Sequence, residues 1–307
     1  MNNDERVLIR YICDGDMRRA QMQARSILNA ISSQRDAAFR DDMLHRMTRA
    51  QKGFMELPQN LKGLLAVEDS AAFREEKFLI RKTEMEAAEK TISLWRAAKR
   101  LSDLGVPYMP ALMLYGESGC GKTELARYIA HRAELPFAYV RFSGVVDAHL
   151  GGTQSNIARI FEYVRSNPCV LCFDEIDAIG MTRGQAHELG EMSRVVIAVM
   201  QELDQAPNNA IIIGTTNRFD QLDPALVRRF PLRYELVPLS ADETKEFAYK
   251  FFKYVGLVPA DWWIDGWCKK TFEGNAPAAT VVRECTDVVV SHILRENSGE
   301  EAENHGN

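Results

Sequence analysis

No stretch of the 307 residues stays apolar over the roughly 20 positions that a membrane-spanning helix needs. The opening Met1 segment runs into Asn and Asp and has no apolar leader core, so the expectation is a soluble protein of the cytoplasm with no membrane span. A dominant charge is missing too: the net charge is −5, which gives no general pull toward nucleic acid or anionic lipid. Residues 1–100 hold 19 Lys/Arg against 15 Asp/Glu, and the rest hold 19 against 28. The two signs alternate in that mildly basic third, as on a solvated helical surface, and nucleic acid is not expected as a partner. Cysteine is sparse at six residues. Cys169 and Cys172 spell C-x-x-C inside an apolar strand, where positions three apart point to opposite faces, so neither a disulfide nor a shared metal fits. These thiols read as core residues of a reducing compartment.

What the chain does have is a phosphate-binding signature in the right setting. The apolar run Ala111-Leu112-Met113-Leu114-Tyr115 predicts a buried strand, and Gly116-Glu117-Ser118-Gly119-Cys120-Gly121-Lys122-Thr123 follows it. A helix is expected from Glu124 onward. The three glycines let the backbone curl so that its N–H groups face a triphosphate, and the helix start adds partial positive charge. Lys122 would reach the outer phosphates of ATP and Thr123 would ligate Mg²⁺. Further on, Val170-Leu171-Cys172-Phe173-Asp174-Glu175 is an apolar strand ending in two carboxylates, as expected where ligands bind at the carboxyl ends of parallel strands. Asp174 would hold the Mg²⁺ shell, and Glu175 would orient or deprotonate the water that attacks the γ-phosphate.

Hydrophobic residues make up 46% of the chain, enough for one large or two modest cores. The pattern divides it into a helical region 1–95, a nucleotide-binding region 96–238, a small helical lid 239–296 and a disordered tail 297–307. In the first region helices are expected around Val7–Ile12, from Met17 to Phe54 and from Ser70 to Leu101, with a break at Leu57-Pro58 continuing to Ala66. Strands are expected at 110–115, 137–142, 169–173, 210–215 and 232–237, alternating with helices in the rhythm of a parallel sheet. Lid helices are expected over 245–255, 262–272 and 278–295.

Together these motifs resemble the AAA family of ATPases, the classical branch of AAA+. Two more segments carry the resemblance: Ile211-Ile212-Ile213-Gly214-Thr215-Thr216-Asn217-Arg218 is similar to the strand ending in the sensor 1 Asn, and Leu222-Asp223-Pro224-Ala225-Leu226-Val227-Arg228-Arg229-Phe230 is similar to the arginine-finger segment. The resemblance covers residues 100–295. It implies an α/β P-loop NTPase fold with a five-stranded parallel sheet flanked by helices, a C-terminal helical lid and an N-terminal helical region. Asn217 would then bond the attacking water, and Arg228 and Arg229 would reach the nucleotide of a neighbouring subunit in a ring, a hexamer by the family pattern. The adjacent arginines, lacking a Pro-Gly spacer, look like the spastin and katanin type. His149-Leu150-Gly151 fall where the family carries its first pore loop, with a histidine in place of the aromatic residue. Arg183 to Glu191 fall where a second loop would lie, and Arg283 is a candidate sensor 2. Glu117, Ser118 and Cys120 depart from the usual Pro-Pro and Thr of the loop. The compact helical start is similar to small bacterial stand-alone members, some encoded beside a subtilisin-like protease, which makes such a protease a candidate partner.

Three functions are therefore open. The first is an ATPase ring that remodels or translocates a protein substrate, and the second is an ATP-gated regulatory or scaffold ring that controls a partner such as a protease without threading. The third is a nucleic-acid-dependent motor, set last because the chain is acidic overall.

Overall fold

In the computed structural model, residues 3–13, 17–30, 36, 39–40, 43, 57–106, 108–145, 152–177, 189–272 and 274–297 are described. The chain divides into two compact units, Met1–Glu56 and Leu57–Asn307. In the first, helices α1 (Asn3–Cys13) and α2 (Met17–Ala30) are amphipathic and pack on one another. Ala20 and Leu28 are buried there, and the Gln23 amide donates to Asp4 at 3.1 Å.

The second unit is built on a six-stranded sheet in the order β1-β3-β4-β5-β2-β6. The strands are β1 (Leu65–Glu68), β2 (Ala111–Tyr115), β3 (Phe137–Val140), β4 (Val170–Phe173), β5 (Ile211–Thr216) and β6 (Leu232–Glu235). The five expected strands run parallel, from β3 to β6. The sixth, β1, pairs antiparallel with β3, Leu65 opposite Val140. It was read as a break because it is four residues long and its outer positions are half-exposed, which leaves little apolar signal. β4 and β5 are buried throughout, as strands covered on both faces must be.

Helices α3 (Lys82–Asp103) and α4 (Lys122–Ala133) cover one face of the sheet. Ala88 and Ile92 of α3 and Leu125, Tyr128 and Ile129 of α4 meet Leu112, Leu114, Cys172 and Ile213 in one core. A short helix α5 (Phe142–Val145) follows β3, and the other face carries α6 (Gly152–Ser166) with α7 (Leu189–Asp204). Since Cys172 faces the α4 side, its neighbour Phe173 points the opposite way, where it stacks on Phe161 of α6 at 6.0 Å between ring centres. After α8 (Pro224–Arg228), helices α9 (Ala241–Tyr254), α10 (Asp261–Thr271) and α11 (Ala278–Asn297) form a lid with its own core around Phe247, Phe252, Ile264 and Val281. Ser240 and Glu243 cap α9 reciprocally, which fixes where the lid begins.

The helix expected over 70–101 starts at Lys82 instead. The Asp69 carboxylate accepts from Ala71 N–H at 2.9 Å and closes a tight turn at Ser70–Ala72. Phe73 and Phe78 are extended and stack at 5.0 Å, and helix α3 begins where Glu84 accepts from Arg81 N–H at 2.9 Å. The division between units thus falls after Glu56 and not at residue 95, because β1 joins the sheet and α3 packs on α4. In the first unit the helix expected from Met17 to Phe54 is described as helix over Met17–Ala30 and at residues 39–40 and 43, with Asp36 in a bend, while residues 31–35, 37–38, 41–42 and 44–56 lie outside the described set. The tail expectation beyond Asn297 likewise lies outside the described residues.

Candidate nucleotide site

Between β2 and α4 the chain turns sharply, and the glycines are where the turn demands them. Gly116, Gly119 and Gly121 have φ of 133°, 81° and 94°. At Gly116 a Cβ would sit 2.0 Å from the Leu236 carbonyl oxygen, so the backbone of the β6 end closes on the loop and excludes a side chain. The Lys122 ammonium donates to the carbonyls of Gly116 at 2.8 Å and Glu117 at 2.7 Å, bracing the loop's two ends. Its side chain is buried, and that burial pulls its pKa below the usual lysine value.

The loop forms the floor of a cleft of about 490 Å³ at the carboxyl ends of the strands. Ser118 through Glu124 line it together with Asp174, Glu175 and Asn217. One hydroxyl organises the end of β4. Thr215, buried at the end of β5, donates to Asp174 Oδ1 at 2.7 Å and accepts from Glu175 N–H at 2.9 Å. Thr123 donates to the same Asp174 oxygen at 2.8 Å. Glu175 itself is exposed and left-handed, φ 52°, a conformation that turns its side chain out of the strand toward the cleft. Asn217 is exposed at the end of the neighbouring strand.

Hydroxyl and carboxylate oxygens suit a hard cation such as Mg²⁺, and Thr123 and Asp174 already share an oxygen-to-oxygen contact. Among the described residues no group of three or more His, Cys, Asp or Glu is placed to hold a metal, so a cation here would share its shell with phosphate oxygens.

At the other end the cleft is apolar. Phe78, Leu79 and Ile80 face Leu239, Phe247, Ala278 and Val282 of the lid. None of these was singled out from sequence. The lid also touches the loop directly, since Ala279 N–H donates to the Gly119 carbonyl at 2.9 Å. Glu124 is held by Arg127 at 2.7 Å, and burial raises its carboxyl pKa against the lowering effect of that arginine.

The arginines expected to act between subunits lie outside this cleft. Arg228 ends α8 with its side chain exposed, whereas Arg229 grips Asp204 through two bonds of 2.8 and 2.7 Å and donates to the Ala225 carbonyl at 2.8 Å. Arg283 points outward on α11 and pairs with Glu284 at 2.8 Å, away from the cleft lining. His149, Leu150 and Gly151, and the second loop segment up to Glu188, fall outside the described residues.

A strand-loop-helix phosphate cradle beside a carboxylate pair, roofed by a helical lid, defines a P-loop ATPase domain. Residues 112–237 match the family described as "ATPase family associated with various cellular activities (AAA)", and the chain carries an AAA domain. The peroxisomal ATPase pex6 of Schizosaccharomyces pombe is 33% identical over 217 residues, 68% of this chain and 23% of that protein. An AAA family ATPase of Sinorhizobium fredii, y4kL, is 35% identical over 136 residues, 44% of this chain and 41% of that protein. The chain therefore spans less than half the length of these relatives. A chain in the structure of the E. coli MS115-1 HORMA:CdnC:Trip13 complex shares the fold, with a TM-score of 0.60 over 78% of this chain and 91% of that one, at 19% identity. Among the described residues no helix is long and apolar enough to cross a membrane.

Proposed function

We propose that this chain hydrolyses ATP with Mg²⁺, in an oligomeric ring whose sites are completed by a neighbouring subunit, and that the cycle remodels or translocates a protein substrate. The observation that carries the reading is the hydroxyl of Thr215, which ties the Asp174 carboxylate and the backbone N–H of Glu175 to one strand end, beside the phosphate loop. The loop N–H groups and Lys122 would cradle the phosphates, with Lys122 leaving its own loop carbonyls to meet them. Mg²⁺ would neutralise charge on the outer phosphates, held by Thr123 and Asp174. Glu175 would accept the proton of the attacking water while Asn217 orients it. The apolar end of the cleft would take the flat base.

A finger from the next subunit would neutralise charge on the transferred phosphoryl group. The free guanidinium of Arg228 supports it in that role, while Arg229 is spent on Asp204 within its own chain. The test pairs two variants. Lys122→Ala is expected to abolish ATP binding, and Glu175→Gln to bind ATP yet turn over at least about 100-fold more slowly. Wild-type turnover in Glu175→Gln would remove the base assignment, and turnover per chain that does not change on dilution into the monomer would remove the shared site.

A further inference from the structure

The apolar wall Phe78-Leu79-Ile80 belongs to neither half of the nucleotide cleft, yet both halves hold it. Ile80 packs into the core between the sheet and α4, joined by Phe73, whose ring lies against Tyr128. Leu79, one residue earlier, packs into the core of the lid. An extended backbone alternates its side chains, so the two neighbours plug into opposite bodies and the peptide between them is stretched across the gap. From the lid, the Lys250 ammonium on α9 donates to the Phe78 carbonyl, and Lys77 lies over the Tyr254 ring at 5.1 Å. At the other end of the segment Arg81 is held by Glu84, its Nε donating at 2.9 Å, and Glu84 also lines the cleft.

Among the described residues, the carbonyl of Phe78 is the one backbone oxygen of this wall with a charged side chain on it, and that side chain comes from the lid. We propose that Lys250 is a positioning residue for the base of the bound nucleotide: by clamping the Phe78 carbonyl it sets the Leu79-Ile80 backbone against the base, so that lid position is read out as nucleotide affinity. The proposal rests on the ATPase reading above, and deepens it by assigning the base end of the cleft to a lid residue with no contact to phosphate. Its consequence is a division of labour. The loop and Lys122 hold the phosphates without any help from Lys250, whereas the base is held in proportion to how firmly Lys250 clamps the wall.

The experiment is a pair of titrations on the full chain, with ATP and with inorganic tripolyphosphate, for wild type, Lys250→Met and Lys250→Arg. Methionine keeps the packing of the side-chain stem and removes the donor, and arginine restores a donor. Lys250→Met is expected to lose about tenfold in ATP affinity, the scale of one charge-assisted hydrogen bond, and to bind tripolyphosphate as wild type does. Lys250→Arg should recover most of the ATP affinity. Equal ATP affinity in Lys250→Met and wild type overturns the proposal. So does an equal loss for both ligands, which would mark Lys250 as general support of the lid. A wild-type chain that binds tripolyphosphate but not ATP would overturn the nucleotide reading itself and this proposal with it.

Discussion

Thr215→Val isolates the hydroxyl that joins the Asp174 carboxylate to the backbone N–H of Glu175. The side chain is 1% exposed, and valine fills the same volume, so packing is preserved while two hydrogen bonds vanish. Asp174 loses a charge-assisted donor at 2.7 Å, and the Glu175 N–H loses its acceptor at 2.9 Å. A bond to a charged group contributes about 1.5–3 kcal/mol and a neutral one about 1, but Thr123 still serves the same Asp174 oxygen. A net loss of about 2–3 kcal/mol is expected, which for a unit of this size lowers the melting temperature by roughly 5–10 °C. Catalysis should suffer separately. Without its tether the left-handed Glu175 has no hydrogen bond fixing its backbone N–H, and a displacement of about 1 Å at a reacting group costs on the order of 100-fold in turnover. Differential scanning calorimetry and a coupled ATPase assay at saturating Mg²⁺-ATP read the two effects. Thr215→Ser, which keeps the hydroxyl, should recover most of both. A Thr215→Val chain that melts within 1 °C of wild type and turns over normally would refute the reasoning and leave Thr215 as filler.

The two arginines should separate. Arg228→Ala is expected to lower turnover by about 10³-fold with ATP binding intact, and mixing it with a Lys122→Ala chain, which supplies fingers but no site, should restore part of the activity. Arg229→Ala should instead behave like Asp204→Asn, with a stability loss of about 1 kcal/mol or less for a partly exposed pair and a smaller effect on turnover, read by melting and the same assay. The buried thiols give a pH prediction. Burial pushes Cys169 up to about 12 and Cys172 well above its usual value, so iodoacetamide at pH 8 should modify the exposed Cys13 in the native chain and reach those two after unfolding. Because the folded chain holds these protons more tightly than the unfolded one, their contribution to stability is fully present below about pH 8.5 and falls as pH rises toward 12. A urea melt that is equally stable at pH 8 and pH 10.5 would contradict this.

The phosphate end of the cleft was legible in the sequence because its chemistry is local. The glycines, Lys122 and Thr123 lie within eight residues, and Asp174-Glu175 end a strand whose apolar run is unmistakable. β2, β4 and β5 were legible for the same reason, since burial leaves continuous apolar runs, whereas the edge strand β6 alternates half-exposed and exposed positions. What escaped was assembled from distant segments. β1 has one fully buried residue, Leu65, and is defined by its partner β3 more than by its own pattern. Phe78-Leu79-Ile80 sits beside good helix formers, and nothing in the order of letters says that Asp69 and Glu84 close turns on either side of it. Thr215 stood in a quoted motif, yet its bonds reach a residue 41 positions earlier. Arg228 and Arg229 were equivalent as letters, and Asp204 separates them.

The bond from Ala279 N–H to the Gly119 carbonyl pins the first turn of the last helix to the phosphate loop, close to the Leu239–Ala276 bridge where the lid joins the sheet domain. Two fixings so close together define an axle and not a slide. Any tilt of the lid must turn about this corner, and α11 is the long arm: its 20 residues extend about 30 Å, so a rotation of about 10° at the loop sweeps its far end by roughly 5 Å. Val290, Ile293 and Leu294 ride on that outer half with their side chains exposed. The corner that touches the phosphate loop is thus also the fulcrum of the longest lever in the lid, and the apolar residues at the lever's far end are the ones it moves most.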